Sequence, residues 1–409
     1  MLFMPFQILG FWLRSLLALL ILGSGIYLLV EWYNHRQITE PAAQVQTESQ
    51  PDAGARSSDE QSVRIVPWRF GLNRETAFLL GGLALIVWSF GGWTIRPLLR
   101  RPAPDEPNEI HDGEIRRLRR PDGTELQVEI YGPPDGVPIL FTHGWSLDSN
   151  EWYYTKKELS RNHQLIVWDL PGLGKSSRPA NNDWSLEKLA GDLDAVLTLA
   201  GDRPAILVGH SIGGMIILTF CRLFPQALGS RICGLVLAHT TYTNPVKTTS
   251  LAGLYTALQK PVLEPLCHLI VWLAPLVWVM NILSYLNGSA HRSTERSSFS
   301  GQESRGQLNF ITRYYVKAWP GVVARGMLAM FRYEATATLA AIPLPTLVVT
   351  GDQDKTCKPD ASDYMAKNIP NARLAMLQPA KHCGLFEHHG SFDKLVIEFV
   401  STLEPAAAR

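Results

Sequence analysis

Gly209-His210-Ser211-Ile212-Gly213 follows directly on the apolar run Ala205-Ile206-Leu207-Val208 and leads into Gly214-Met215-Ile216-Ile217-Leu218. This order reads as a buried strand, a sharp turn and a helix. Small residues on either side of Ser211 let the backbone take a cramped turn that pushes a serine hydroxyl out at the end of a sheet. A Gly-x-Ser-x-Gly pentapeptide alone is a modest signal. Its weight depends on whether a base, an acid and oxyanion donors stand at compatible places in the chain.

Upstream, Val137 to Phe141 is a short apolar strand that ends in Thr142-His143-Gly144-Trp145, a loop from which a backbone N–H can reach an oxyanion. Downstream, the apolar strand Pro345 to Thr350 runs into Gly351-Asp352-Gln353-Asp354, and the strand Ala372 to Leu377 leads to Ala380-Lys381-His382-Cys383-Gly384. The chain order is therefore serine, acid, histidine, each at the C-terminal end of a predicted strand, where open parallel sheets gather their catalytic groups. Asp352 and Asp354 both stand where the acid is needed.

From about Arg119 to about Leu403 the chain resembles an α/β-hydrolase. The matching pieces are the His143-Gly144-Trp145 loop, Asp169-Leu170-Pro171-Gly172-Leu173-Gly174-Lys175-Ser176, the serine turn, Gly351 to Asp354, and His382 with Glu387 behind it. A serine at the turn sets the chain apart from the epoxide hydrolases and haloalkane dehalogenases, which carry an aspartate there. The resemblance implies a mostly parallel central sheet with a helical cap and a catalytic set of Ser211, His382 and an acid three residues after Gly351, which is Asp354. It further implies an oxyanion site at the backbone N–H groups of Trp145 and Ile212. His382 takes the serine proton because a hydroxyl is a poor nucleophile at neutral pH. His143 reads as a residue that shapes its loop, and Asp169 to Ser176 as a tight turn without the pattern of a phosphate cradle.

The apolar fraction of 46% in 409 residues suits one large globular core with membrane segments added, and a net charge of +1 gives no reason to expect nucleic acid. Cys221, Cys233, Cys267, Cys357 and Cys383 show neither C-x-x-C nor metal-ligand spacing, so they read as reduced thiols in a cytoplasmic domain, with no metal or cofactor expected. Protein partners are not legible in the sequence.

The N-terminal quarter has a different character. Ser15 to Val30 and Thr76 to Ile95 carry no charge, and each approaches the roughly 20 residues a helix needs to cross a bilayer. A cleaved signal peptide fits the first run less well, because no small-residue cleavage site precedes Glu31-Trp32-Tyr33; a buried hairpin is the other alternative. Trp32, Tyr33, Trp88 and Trp93 suit an interfacial belt. Arg96, Arg100, Arg101, Arg116, Arg117, Arg119 and Arg120 follow the second run, against Arg56, Arg64, Arg69 and Arg74 in the loop, and this bias orients the hydrolase part to the cytoplasm.

The expected organisation is a transmembrane helix in 1–34, a polar extracytoplasmic loop in 35–75, a second transmembrane helix in 76–96 and a basic linker in 97–120. The hydrolase core follows in 121–244 and 337–405, with a helical cap in 245–336, since no structureless loop of that length is expected. Within the core, Glu125 to Tyr131 alternates as a half-exposed strand does, Gln164 to Val167 and Ile232 to Ala238 read as buried strands, and Ser185 caps a helix running to Leu199. The function expected is hydrolysis of a lipophilic carboxylic ester by a membrane-bound serine enzyme. The same residues also serve C–C bond hydrolases and cofactor-free haloperoxidase-like enzymes, and a retained fold with a non-catalytic binding role is the alternative of another class. In the cap, Leu269 to Leu286 is uncharged, with Pro275 between Trp272 and Trp278; it reads either as a helix pair buried on the core or as a kinked segment dipping into a bilayer interface.

Overall fold

The computed structural model describes residues 4–39 and 73–407. Helix α1 (Met4–Thr39) and helix α2 (Arg74–Leu98) contain the two apolar runs and pack on each other. Their spans Leu16–Gln37 and Arg74–Ile95 have mean hydropathies of 1.8 and 1.7 and are long and apolar enough to cross a membrane. Most of the expected polar loop lies outside the described residues; its two ends continue the helices.

The remainder is built on one eight-stranded sheet. In chain order its strands are β1 (Glu114–Arg119), β2 (Glu125–Tyr131), β3 (Pro138–Thr142), β4 (Gln164–Trp168), β5 (Ala205–His210), β6 (Ile232–Ala238), β7 (Thr346–Gly351) and β8 (Ala372–Leu377). Their spatial order is β1-β2-β4-β3-β5-β6-β7-β8. β2 pairs antiparallel with β1 and β4, and every pairing from β4 to β8 is parallel. β3, β4, β5 and β7 are buried along their whole length, which is why they read in sequence as continuous apolar runs.

Two expectations need correction. The stretch taken as a basic linker contains β1, an edge strand paired with β2 over its full length and exposed at most positions. Its arginines and Glu114 keep that edge wet, a common defence against edge-to-edge pairing. The alternation in β2 does not mark a half-exposed strand, because Gln127 and Glu129 are buried. Glu129 lies 2.7 Å from His111, 3.6 Å from the Lys156 ammonium, and accepts the Tyr131 hydroxyl at 2.5 Å. The polar face of β2 is thus covered by distant segments that satisfy its charge.

Helices α3 (Tyr153–Leu159), α4 (Leu186–Leu197) and α5 (Ile212–Leu223) flank the sheet. Ser185 caps α4 by accepting the Lys188 N–H at 3.2 Å. After β6 the chain leaves the sheet for a helical layer: α6 (Pro245–Thr248), α7 (Ala252–Leu258), α8 (Glu264–Trp272), α9 (Ala274–Leu286), α10 (Ser289–Ser298), α11 (Arg305–Lys317) and α12 (Pro320–Met330). The short α13 (Thr336–Leu339) leads back to β7, and α14 (Pro359–Asn368), α15 (Gly384–Glu387) and α16 (His389–Ala407) complete the core. Glu387 ties the two layers together by accepting the N–H groups of Ser300 and Gln302 and the Ser300 hydroxyl. All five cysteines are free.

Candidate active site

Ser211 is the single residue between the end of β5 and the start of α5, with φ 52° and ψ −115°. A positive φ at a residue with a Cβ stores on the order of 1–3 kcal/mol and persists only where the surroundings enforce it. Here they do. The Ser211 N–H donates to the Ala238 carbonyl at 3.0 Å, and the Thr240 hydroxyl donates to the Ser211 carbonyl at 2.6 Å. Gly213 meets the end of β3 so closely that a Cβ there would lie 2.2 Å from the Thr142 carbonyl oxygen. Any larger residue would push α5 off β3.

The turn aims the Ser211 hydroxyl at His382, whose Nε2 is 3.0 Å from Oγ. The other ring nitrogen, Nδ1, is 2.9 Å from Asp354 Oδ2. Since a carboxylate only accepts, Nδ1 carries the proton and Nε2 is left to accept from the serine. The second Asp354 oxygen accepts the N–H groups of Thr356 and Cys357 at 2.8 and 3.0 Å, which fixes the carboxylate plane. Burial favours the neutral acid, but the adjacent His382 imidazole and the hydrogen bonds from His239 and His382 outweigh it and hold Asp354 well below the usual carboxylate range. Asp352 is exposed and accepts the Ala380 N–H at 2.8 Å, the work of a turn-capping residue. Geometry therefore separates the two candidate acids, and Asp354 is the one beside His382.

Above Ser211 lies a cavity of about 160 Å³, roughly ten times the space a single water needs, so it has room for a bound small molecule. Trp145 and Leu147 wall it from the core, and Ile270, Val323 and Met327 from the cap. Trp145 is clamped by its indole N–H, which donates to the Val323 carbonyl at 3.0 Å. Among the described residues, the backbone N–H groups of Trp145 and Ile212 donate to no turn, loop or side-chain acceptor. His143 holds the loop, accepting the Leu170 N–H at 2.9 Å and donating to the Gly144 carbonyl at 2.8 Å. In the turn after β4, the Asp169 carboxylate accepts the N–H groups of Ser149 and Lys175.

Three further residues hold the site together and carry no role in the sequence reading. Glu151 accepts the Gly144 N–H at 2.7 Å and lies 2.5 Å from His210 Nδ1, while His210 Nε2 donates to the His382 carbonyl at 3.0 Å. One buried Glu151–His210 contact thus links the loop after β3, the serine turn and the histidine loop. His239, directly after β6, approaches Asp354 Oδ2 at 3.3 Å from the side opposite His382. Its place at a strand end was the available signal; Glu151 and His210 meet only through the fold.

Burial opposes protonation of His210, yet the Glu151 carboxylate more than offsets it and raises its pKa; burial likewise opposes ionisation of Glu151, and His210 reverses that. Glu151→Gln leaves the imidazole buried beside a neutral amide, and breaking half of a buried pair costs about 3–5 kcal/mol. Because the folded value of His210 lies above its unfolded one, its contribution is complete below about pH 6.5 and is lost as pH rises through the folded value. The Glu151 share holds above about pH 4.3 and is lost on acidification. Thermal unfolding of wild type and Glu151→Gln is expected to differ most near about pH 6 and to differ less as pH rises above that. A gap constant over that range would mean that His210 is neutral in the fold.

The family model for the alpha/beta hydrolase fold matches residues 137–261. Human (Homo sapiens) monoacylglycerol lipase ABHD6 is 24% identical over 66% of this chain and 78% of its own. Lipase 1 of Psychrobacter immobilis is 25% identical over 68% of this chain and 80% of its own. Among solved structures, a thermophilic esterase from Thermogutta terrifontis superposes with a TM-score of 0.57 at 23% identity, covering 71% of this chain and 99% of that one. With the strand order and the serine turn already described, these matches show that the chain has the α/β-hydrolase fold.

Proposed function

We propose that this protein is a membrane-anchored serine hydrolase that cleaves lipophilic carboxylic esters through an acyl-enzyme. The observation that carries the reading is the continuous line Ser211 Oγ, His382, Asp354 beneath a mostly apolar chamber. Ser211 Oγ attacks the ester carbonyl carbon while its proton passes to His382 Nε2. The carbonyl oxygen, now negative, lies against the N–H groups of Trp145 and Ile212, each such donor contributing about 2.7–4 kcal/mol in the transition state. Collapse of the tetrahedral species breaks the C–O bond, and His382 returns the proton to the leaving alcohol. Water then repeats the sequence on the acyl-enzyme and releases the acid. Asp354 holds the imidazole tautomer and stabilises the imidazolium.

The ester class is supported by the names of the relatives, a monoacylglycerol lipase and a lipase. The anchor is supported by α1 and α2, and the arginines after Ile95 favour a cytoplasmic hydrolase domain with both chain ends inside. The test is a panel of p-nitrophenyl esters and monoacylglycerols of graded chain length, presented to the full chain in vesicles. Turnover is expected on esters and to rise with acyl length; hydrolysis of none of them would overturn the reading. Protease added to intact cells is expected to spare the hydrolase domain, and its digestion would reverse the orientation.

A further inference from the structure

The cap has an outer face that ester cleavage itself does not explain. α8 and α9 meet at Leu273 with a bend of 94°, and Pro275 in the first turn of α9 lets the new helix start there. The two helices sort their side chains between two faces. Ile270 and Cys267 from α8 and Asn281 from α9 are buried and line the chamber above Ser211. On the other face Leu269, Leu276, Trp278 and Val279 are exposed, and Trp272 at the bend is 77% exposed. No charged residue interrupts Leu269 to Leu286. A contiguous aromatic and aliphatic surface of this kind marks an interaction site.

What covers it follows from its neighbours. α9 packs along both α1 and α2. Gly92 of α2 sits so close to the C-terminal end of α9 that a Cβ would lie 2.1 Å from the Asn287 carbonyl oxygen, and Trp93 stacks on Tyr285 at 6.2 Å between ring centroids. Just beyond α2, Arg100 pairs with Glu295 and with Glu303, the latter at 3.1 Å. The end of the second apolar span is therefore locked to α9 and α10. Trp93 lies near the end of the span Arg74–Ile95, which puts Tyr285 at the bilayer boundary when α2 crosses. From there the 13 residues of α9 extend about 20 Å, short of the roughly 30 Å of a hydrocarbon core. The hairpin must also return to the side it left, because Ser211 precedes it and Asp354 and His382 follow it in one site.

We infer that the α8–α9 hairpin is a re-entrant wedge whose bare face is occupied by the lipid bilayer and whose inner face is the wall of the chamber over Ser211. The substrate is then an ester with a hydrocarbon chain that stays in the bilayer while its carbonyl reaches Ser211, so anchoring serves substrate entry as well as location. This rests on reading α1 and α2 as membrane spans and Ser211 as the nucleophile.

The test uses the full chain in phosphatidylcholine vesicles. The triple variant Trp272→Ser, Leu276→Ser, Val279→Ser changes only the outer face. Hydrolysis of a long-chain monoacylglycerol in the vesicles is expected to fall about tenfold or more, with p-nitrophenyl butyrate turnover within about twofold of wild type, because only the first substrate enters through lipid. Equal losses on both substrates, or no loss on either, overturn the inference. A second measurement does not depend on turnover or on the triple variant folding. The Trp272 emission, taken as the difference between wild type and Trp272→Phe, is expected to be quenched by phosphatidylcholine brominated along its acyl chains. Absence of quenching overturns the wedge. Quenching without hydrolysis of any ester by the wild type retains the wedge and overturns the proposed function.

Discussion

Ser211→Ala is expected to lower the kcat for ester hydrolysis by on the order of 10⁶-fold, with KM little changed. The expectation follows from the parts that remain. The variant keeps the chamber, the oxyanion N–H groups and the His382–Asp354 pair, but His382 Nε2 has no hydroxyl 3.0 Å away to deprotonate. Residual catalysis then comes from the oxyanion donors and binding alone, about 10³–10⁴-fold over water. The Ser211 N–H and carbonyl hold the turn through the backbone, and those contacts do not depend on Oγ. Alanine also carries a Cβ, so the positive φ costs the variant about what it costs the serine. Steady-state kinetics on a soluble p-nitrophenyl ester check this, and a variant within about tenfold of wild type would remove Ser211 from the chemistry.

The second large effect concerns the acid. Asp354→Asn is expected to cost about 10⁴-fold in kcat, because an amide that offers an N–H to Nδ1 turns the imidazole to the tautomer that cannot accept from the serine. Asp352→Asn is expected to stay within about threefold, since an exposed turn cap contributes little to the transition state. The Asp354 variant also affects His239, which faces the same oxygen at 3.3 Å, so a loss of thermal stability is expected beside the loss of rate. Reversal of the ranking between the two variants would assign the acid role to Asp352.

How much of this was legible in the sequence depended on whether the information was local. β3, β5 and β7 are buried on both faces and announce themselves as apolar runs, and a strand followed by a glycine-flanked serine is local as well. β1, with the sequence Glu-Ile-Arg-Arg-Leu-Arg, offers no such run, because an edge strand held by backbone hydrogen bonds to β2 can stay wet on both faces. The burial of β2 depends on His111 and Lys156, which reach Glu129 from elsewhere in the chain. Glu151 and His210 are separated by 59 residues and meet only when β3 and β5 pair. The apolar character of the cap was plain from Leu269 to Leu286, whereas the choice of which side chains turn inward needed the 94° bend.

The measurement that bears most directly on the central claim is labelling of the full chain with a fluorophosphonate, followed by mass spectrometry of the digested protein. The expected result is a single phosphonylated peptide modified at Ser211, and no label on Ser211→Ala. Modification at another residue, or labelling that survives in the alanine variant, would contradict the account.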